Sequence, residues 1–129
     1  MEAAIEWQLK EFQERTKINC IFQNKLKTLE LSPEIATRIF RIFQETLTNI
    51  ARHSKASKVN TLLTQNNGNL VLRVIDNGVG IEEGKVENKK SLGLLGIRER
   101  ATILGGELNI QGQKGKGTKI ELKVPYNVK

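Results

Sequence analysis

Leu70-Val71-Leu72-Arg73-Val74-Ile75-Asp76-Asn77-Gly78-Val79-Gly80 decides how this chain is read. The apolar, β-branched run from Leu70 to Ile75 has the composition of a buried strand, and it ends on a carboxylate where glycines let the backbone turn. A carboxylate so placed can accept a hydrogen bond from an exocyclic amine, and glycine beside it lets a planar ring approach the main chain. Those are the needs of one half of an adenine pocket. The same Asp-Asn-Gly wording also closes hairpins, so this stretch leaves two readings open and its neighbours must choose.

Upstream, Lys58 to Gln65 alternates through Val59, Thr61 and Leu63, and Asn66-Asn67-Gly68-Asn69 predicts the hairpin turn that leads into Leu70. Ser32-Pro33-Glu34 opens a helix, with a serine cap, proline at the first helical position and an acid in the first turn. That helix is expected to run to about His53, with Ile35, Ile39, Ile42, Phe43, Thr46 and Ile50 on its packing face. Glu45, Asn49 and Arg52 follow at spacings of four and three, a ridge along one edge of that face with His53 at its margin. Charged residues on a helix edge are commonly just solvated, yet asparagine is a poor helix former, and its place here invites a reason such as metal coordination. Further upstream, Ile5, Leu9 and Phe12 mark an amphipathic helix over residues 2–15, residues 18–23 read as a short strand, and residues 24–31 as loop.

Downstream, residues 81–92 carry much charge and no period, and read as a mobile loop. They lead into Gly93-Leu94-Leu95-Gly96-Ile97-Arg98-Glu99-Arg100, the start of a helix with Ile97, Ala101 and Leu104 inward. Glycines there either ease a tight entry or bare N–H groups for an anion such as phosphate. Gly105-Gly106 stops the helix, Glu107 to Gln111 makes a strand, Gly112 to Thr118 a flexible turn, and Lys119 to Val124 a last strand. Gly-Lys-Gly-Thr opens a strand and not a helix, which excludes a P-loop, and neither glycine pair has dinucleotide-fingerprint spacing. The element order predicts an α+β fold, a two-layer sandwich in which one mixed, mostly antiparallel sheet is covered on one face by helices.

With 129 residues the chain is expected to form a single domain spanning 1–129. Its formal charge of +7 admits a polyphosphate, an acidic partner or nucleic acid, but the lysines are scattered. Nucleic-acid binding is disfavoured further because Trp7, Phe12, Phe22, Phe40, Phe43 and Tyr126 are spread and mostly at core-like positions. Cys20, the lone cysteine, reads as a buried inert thiol and excludes an internal disulfide. No membrane span and no signal pattern stand out, so a cytoplasmic location is expected, with no membrane contact.

Taken together, Phe43 to His53, Asp76 to Gly80, Gly93 to Arg100 and Gly115-Lys116-Gly117-Thr118 resemble, in order, the N box and the three glycine boxes of the histidine-kinase ATP-binding domain. The Gly-Leu-Leu-Gly-Ile-Arg-Glu-Arg wording and the Arg-His ending of the N box are similar to the nitrate-sensor-like subfamily of two-component sensors. The resemblance implies the Bergerat fold, shared with gyrase, mismatch-repair and heat-shock ATPases, holding ATP with Mg2+ between the long helix and a lid. It implies that Asp76 binds the adenine amine, that Gly78 and Gly80 let the ring sit close, and that Thr118 supports those hydrogen bonds through water. Asn49 would coordinate Mg2+, Arg52 or His53 would add charge or a donor, and Glu45 would be the catalytic carboxylate. Gly93, Leu94 and Gly96 would offer N–H groups to the phosphates, with Lys89 or Lys90 as counter-charge.

Two departures qualify this expectation. The phenylalanine-bearing box of many such kinases has no counterpart in residues 81–92, and the single histidine, His53, lies within the N box. The family's phosphorylated histidine sits on a separate dimerisation domain. The chain is therefore expected to be the catalytic part of a longer sensor kinase, itself monomeric, from a homodimeric parent that passes phosphate to a response regulator. The alternatives are an anti-sigma-type serine kinase of the same fold and a degenerate, partner-binding domain.

Overall fold

A computed structural model gives the structure of residues 1–26, 31–79, 94–113 and 115–125, apart from the side chains of His53, Ser54, Leu94, Leu95 and Gln113. Helix α1 (Glu2–Thr16) leads to strand β1 (Asn19–Asn24), and helix α2 (Pro33–Asn49) passes directly into a π-helical turn (Ile50–Ser54). The hairpin β2 (Lys58–Asn66) and β3 (Asn69–Asp76) follows, then helix α3 (Leu94–Ile103) and the pair β4 (Glu107–Gln113) and β5 (Gly117–Pro125). The strands form one five-stranded sheet in the order β1-β2-β3-β5-β4. Among the described residues only the β1–β2 pairing is parallel. This is the α+β sandwich the element order predicts, with β3 as its central strand.

Local sequence accounts for the joints. Ser32 Oγ accepts a hydrogen bond from the Ile35 N–H at 3.2 Å, and Pro33 occupies the first helical position of α2. Asn67 and Gly68 both take positive φ, 51° and 81°, which the tight β2–β3 turn needs for its twist to match the strands. Gly105, at φ 70°, ends α3, and the Gly106 N–H returns to the Ala101 carbonyl.

The core lies between the helices and one face of the sheet. Ile5, Leu9 and Phe12 of α1, Ile39, Ile42, Phe43 and Leu47 of α2, and Ile97 and Ala101 of α3 pack over Val59, Leu63, Leu70, Leu72, Val74, Ile120, Leu122 and Val124. Strand alternation fixes that face: β2 and β5 present every second residue to the helices. On the other face Arg73 and Glu121 form an ion pair at 2.7 Å, and Ile75 is exposed.

The expected stripe of Ile5, Leu9 and Phe12 is the buried face of α1, and Trp7, two places from Ile5, points away from it. Two sequence expectations change. The helix expected to reach His53 keeps α-geometry only to Asn49. Cys20 is half-buried, with its thiol pushed up by desolvation and donating to the Ile18 carbonyl at 3.6 Å. The expected loop over residues 81–92, and Tyr126, lie outside the described residues.

Candidate functional site

Asp76 ends the central strand on its helix-covered side, in the alternation of Leu72 and Val74, and it is only 5% exposed. Its Oδ1 accepts a hydrogen bond of 2.8 Å from the Gly78 N–H. Burial pushes the carboxyl above its ordinary value, while the backbone N–H groups of Gly78 and Thr118 draw it partly back. A carboxylate has about four acceptor positions, so the Gly78 contact leaves capacity for a ligand amine. Thr118, itself buried, stands directly opposite Asp76 in the β3–β5 ladder.

The turn after Asp76 is tied from two sides. Asn77 Oδ1 accepts from the N–H groups of Ser57 and Lys58, each at 2.9 Å, and its Nδ2 donates to Ser57 Oγ at 2.9 Å. From the other side Gly117, at φ 100°, lies so close that a Cβ would run into the Asp76 carbonyl oxygen. Sequence reasoning took both as turn-formers. Their work is in packing: one clamps the turn to the start of β2, and the other lets β5 close on it.

On α2, Glu45 and Asn49 lie one turn apart on the same side. Asn49 Nδ2 is buried with no hydrogen-bond partner among the described residues. Buried amide groups are nearly always satisfied, so an orphan here marks a position that wants a ligand. The amide can present its oxygen there equally well, since its two ends are interchangeable by a flip. The Ile50 N–H still bonds within α-geometry, shared between the Thr46 and Leu47 carbonyls, and the π turn Ile50–Ser54 that begins there carries Arg52, which is exposed. Such insertions recur at functional sites. The expected ridge of Glu45, Asn49 and Arg52 therefore holds for its first two members, because the extra residue in the turn breaks the α-spacing before Arg52. His53 has its backbone in that turn, and its side chain lies outside the described residues.

Glu45 does not stand free. Its Oε1 pairs with Arg100 of α3 at 2.9 Å, and a Cβ built on Gly96 would lie 3.7 Å from its Oε2. Gly96 and Arg100 are one helical turn apart, so the carboxylate lies along one face of α3. Arg100 was given no role from sequence, since only the packing of α3 on α2 brings it to Glu45. Of the residues expected at the phosphates, Gly96 is thus beside Glu45, and Leu94 begins α3 with its side chain outside the described residues. Gly80, Lys89, Lys90 and Gly93 lie outside the described residues. Among the described residues no group of three or more His, Cys, Asp or Glu could hold a metal ion, and no helix is long and apolar enough to cross a membrane.

The described residues thus offer a buried carboxylate at the end of the central strand and, on α2, a glutamate and an asparagine amide with no partner among them. Residues 34–128 match the family of histidine kinase-, DNA gyrase B- and HSP90-like ATPases, and the chain belongs to it as an ATP-binding domain of the histidine-kinase type. The chain is 41% identical over 117 residues to the sensor histidine kinase LiaS of Bacillus subtilis, covering 91% of this chain and 32% of that protein. To the oxygen sensor histidine kinase NreB of Staphylococcus carnosus it is 31% identical over 125 residues, covering 97% of this chain and 36% of that one. It spans about a third of the length of these curated relatives. Among solved structures, the histidine kinase domain of the Erythrobacter litoralis blue-light activated histidine kinase matches with TM-score 0.74 at 25% identity, over 95% of this chain and 59% of that one. The Acinetobacter baumannii histidine kinase AdeS shares the fold with TM-score 0.77 at 23% identity, over 98% and 65%.

Proposed function

We propose that this chain binds ATP with Mg2+ and passes the γ-phosphoryl group to a histidine on the dimerisation domain of a longer, homodimeric sensor kinase in the cytoplasm, for relay to a response regulator. The buried Asp76 carboxylate carries the reading: a charge this desolvated at the end of a central strand calls for a donor, and an adenine amine supplies one. Gly78 and Gly80 would admit the ring, and Thr118, the cross-strand neighbour of Asp76, would support its hydrogen bonds through water. Asn49 would hold Mg2+, which keeps most of its ligands from water and phosphate, needs few from protein, and neutralises charge on the phosphates. The orphaned amide fits that duty. Backbone N–H groups at Gly93, Leu94 and Gly96 would receive phosphate oxygens, with Lys90, Arg52 and His53 adding positive charge or donors.

In the transfer, the bond from the γ-phosphorus to the ADP oxygen breaks as a bond to the imidazole nitrogen forms, and the imidazole gives its proton to the Glu45 carboxylate. The protein's share is positioning and charge neutralisation. Calorimetric titration with ATP and Mg2+ tests the reading: saturable binding is expected, and it should disappear in Asp76→Asn. Binding indifferent to Asp76 would overturn it. With labelled ATP, this chain alone should acquire no acid-labile label, because its one histidine is His53.

A further inference from the structure

Glu45 has two cations within reach. Arg41 lies one turn before it on α2, at a spacing where opposite charges pair along a single helix, though with the cation first, which is the weaker orientation. Among the described residues the carboxylate pairs across to α3 instead, its Oε1 meeting Arg100 Nη2 at 2.9 Å. The other oxygen, Oε2, lies over Gly96, one turn before Arg100 on the same face of α3. Glycine leaves that oxygen uncovered, since even one carbon added at residue 96 would touch it at 3.7 Å. The two oxygens of one carboxylate thus face different neighbours.

We propose that Arg100 is a positioning residue for the phosphoryl transfer: it holds Glu45 by Oε1 so that Oε2 is the oxygen offered to the acceptor imidazole. The assignment rests on the reading of Glu45 as the catalytic carboxylate. As the bond from the γ-phosphorus to the ADP oxygen breaks and the bond to the imidazole nitrogen forms, the imidazole proton passes to Oε2. Oε1 keeps its hydrogen bond from Arg100 throughout. Held in this way, the carboxylate is kept from turning back along α2 to Arg41, and its proton-accepting oxygen is oriented before the reaction begins. The same helix carries Leu94 and Gly96, whose N–H groups that reading gives to the phosphates, so one rigid element sets the base and the phosphates relative to each other. The ion pair is half-exposed and therefore adds little to stability. Its removal should cost rate and leave the fold intact.

The test is single-turnover phosphorylation of the full-length kinase from labelled ATP and Mg2+, with ATP affinity and urea midpoint measured on this chain. Arg100→Gln should slow the transfer about fivefold, with affinity and midpoint unchanged. Arg100→Lys, which keeps the charge, should come within about twofold of wild type. Glu45→Gln should slow the transfer about a hundredfold or more, and Arg100→Gln added to it should slow it no further, because the arginine acts only through the carboxylate. A wild-type or faster rate in Arg100→Gln, no rescue by lysine, or a further fivefold loss on top of Glu45→Gln would overturn the proposal. So would weakened ATP binding, which would place Arg100 on the nucleotide. A slow Glu45→Gln beside a wild-type Arg100→Gln would leave the reading of Glu45 standing and remove Arg100 alone; a wild-type rate in Glu45→Gln would remove that reading itself.

Discussion

Asp76 and Thr118 face each other across the β3–β5 ladder, and both are almost wholly buried. A carboxylate in that position is held above its ordinary value by desolvation. The folded state therefore binds the Asp76 proton more readily than the unfolded state does. The stability contributed by this group is fully present below the unfolded value and is lost as pH rises through the higher, folded one. Asp76→Asn should hence leave the ligand-free protein at least as stable as wild type at neutral pH, with an advantage that shrinks as pH falls toward the ordinary aspartate range. ATP affinity should run the other way in wild type, weakening on acidification as the acceptor is protonated. Urea denaturation and calorimetry across pH measure both, and a variant less stable than wild type at neutral pH would contradict the assignment.

Gly117 is required by two facts together. Its φ of 100° is unfavourable for any side chain, and a Cβ would strike the Asp76 carbonyl. Gly117→Ala should destabilise by about 3 kcal/mol or more and weaken ATP binding, since relief of the clash moves β5 away from Asp76. Gly68→Ala is the control. Gly68 has φ 81° but open space around the added methyl, so about 1 kcal/mol of backbone strain is the whole expected effect. Equal urea midpoints for the two variants would refute the packing account.

Asn77 clamps the turn after Asp76 to the start of β2 through Ser57 and Lys58. Asn77→Ala should lower stability by about 1–2 kcal/mol, the bonds being exposed enough for water to replace them in part. Asn77→Asp should recover most of that, because a carboxylate still accepts from both N–H groups and Ser57 can turn its hydroxyl to donate. Chemical denaturation of the two variants decides the point: failure of the aspartate to rescue would mean the residue acts through turn conformation instead.

What could be read in the sequence and what could not divide along a physical line. Periodicity placed α1, α2, the β2–β3 hairpin and the carboxylate at the end of β3, because each depends on neighbours in the chain. The π turn after Asn49 has no such signature, so Arg52 was aligned with Glu45 on a spacing the helix does not keep. Arg100 meets Glu45, and Gly117 meets Asp76, only through the packing of α3 on α2 and the register of β5 on β3. Local pattern could report the residue type in both cases but not its partner.

Asn49 separates ligand binding from stability most cleanly. Its Nδ2 is buried with no hydrogen-bond partner among the described residues, and asparagine is a poorer helix former than alanine. Asn49→Ala should therefore hold or raise the stability of the ligand-free protein, by up to about 1 kcal/mol, because an unsatisfied polar group is removed. If the amide serves Mg2+, the same change should abolish the gain in ATP affinity that Mg2+ gives, while affinity in excess chelator stays at the wild-type value. Titrations of both proteins with and without Mg2+ read this directly. Loss of ATP binding in chelator would assign Asn49 to the nucleotide itself, and a large loss of stability would mean the amide is satisfied in solution by a bound water.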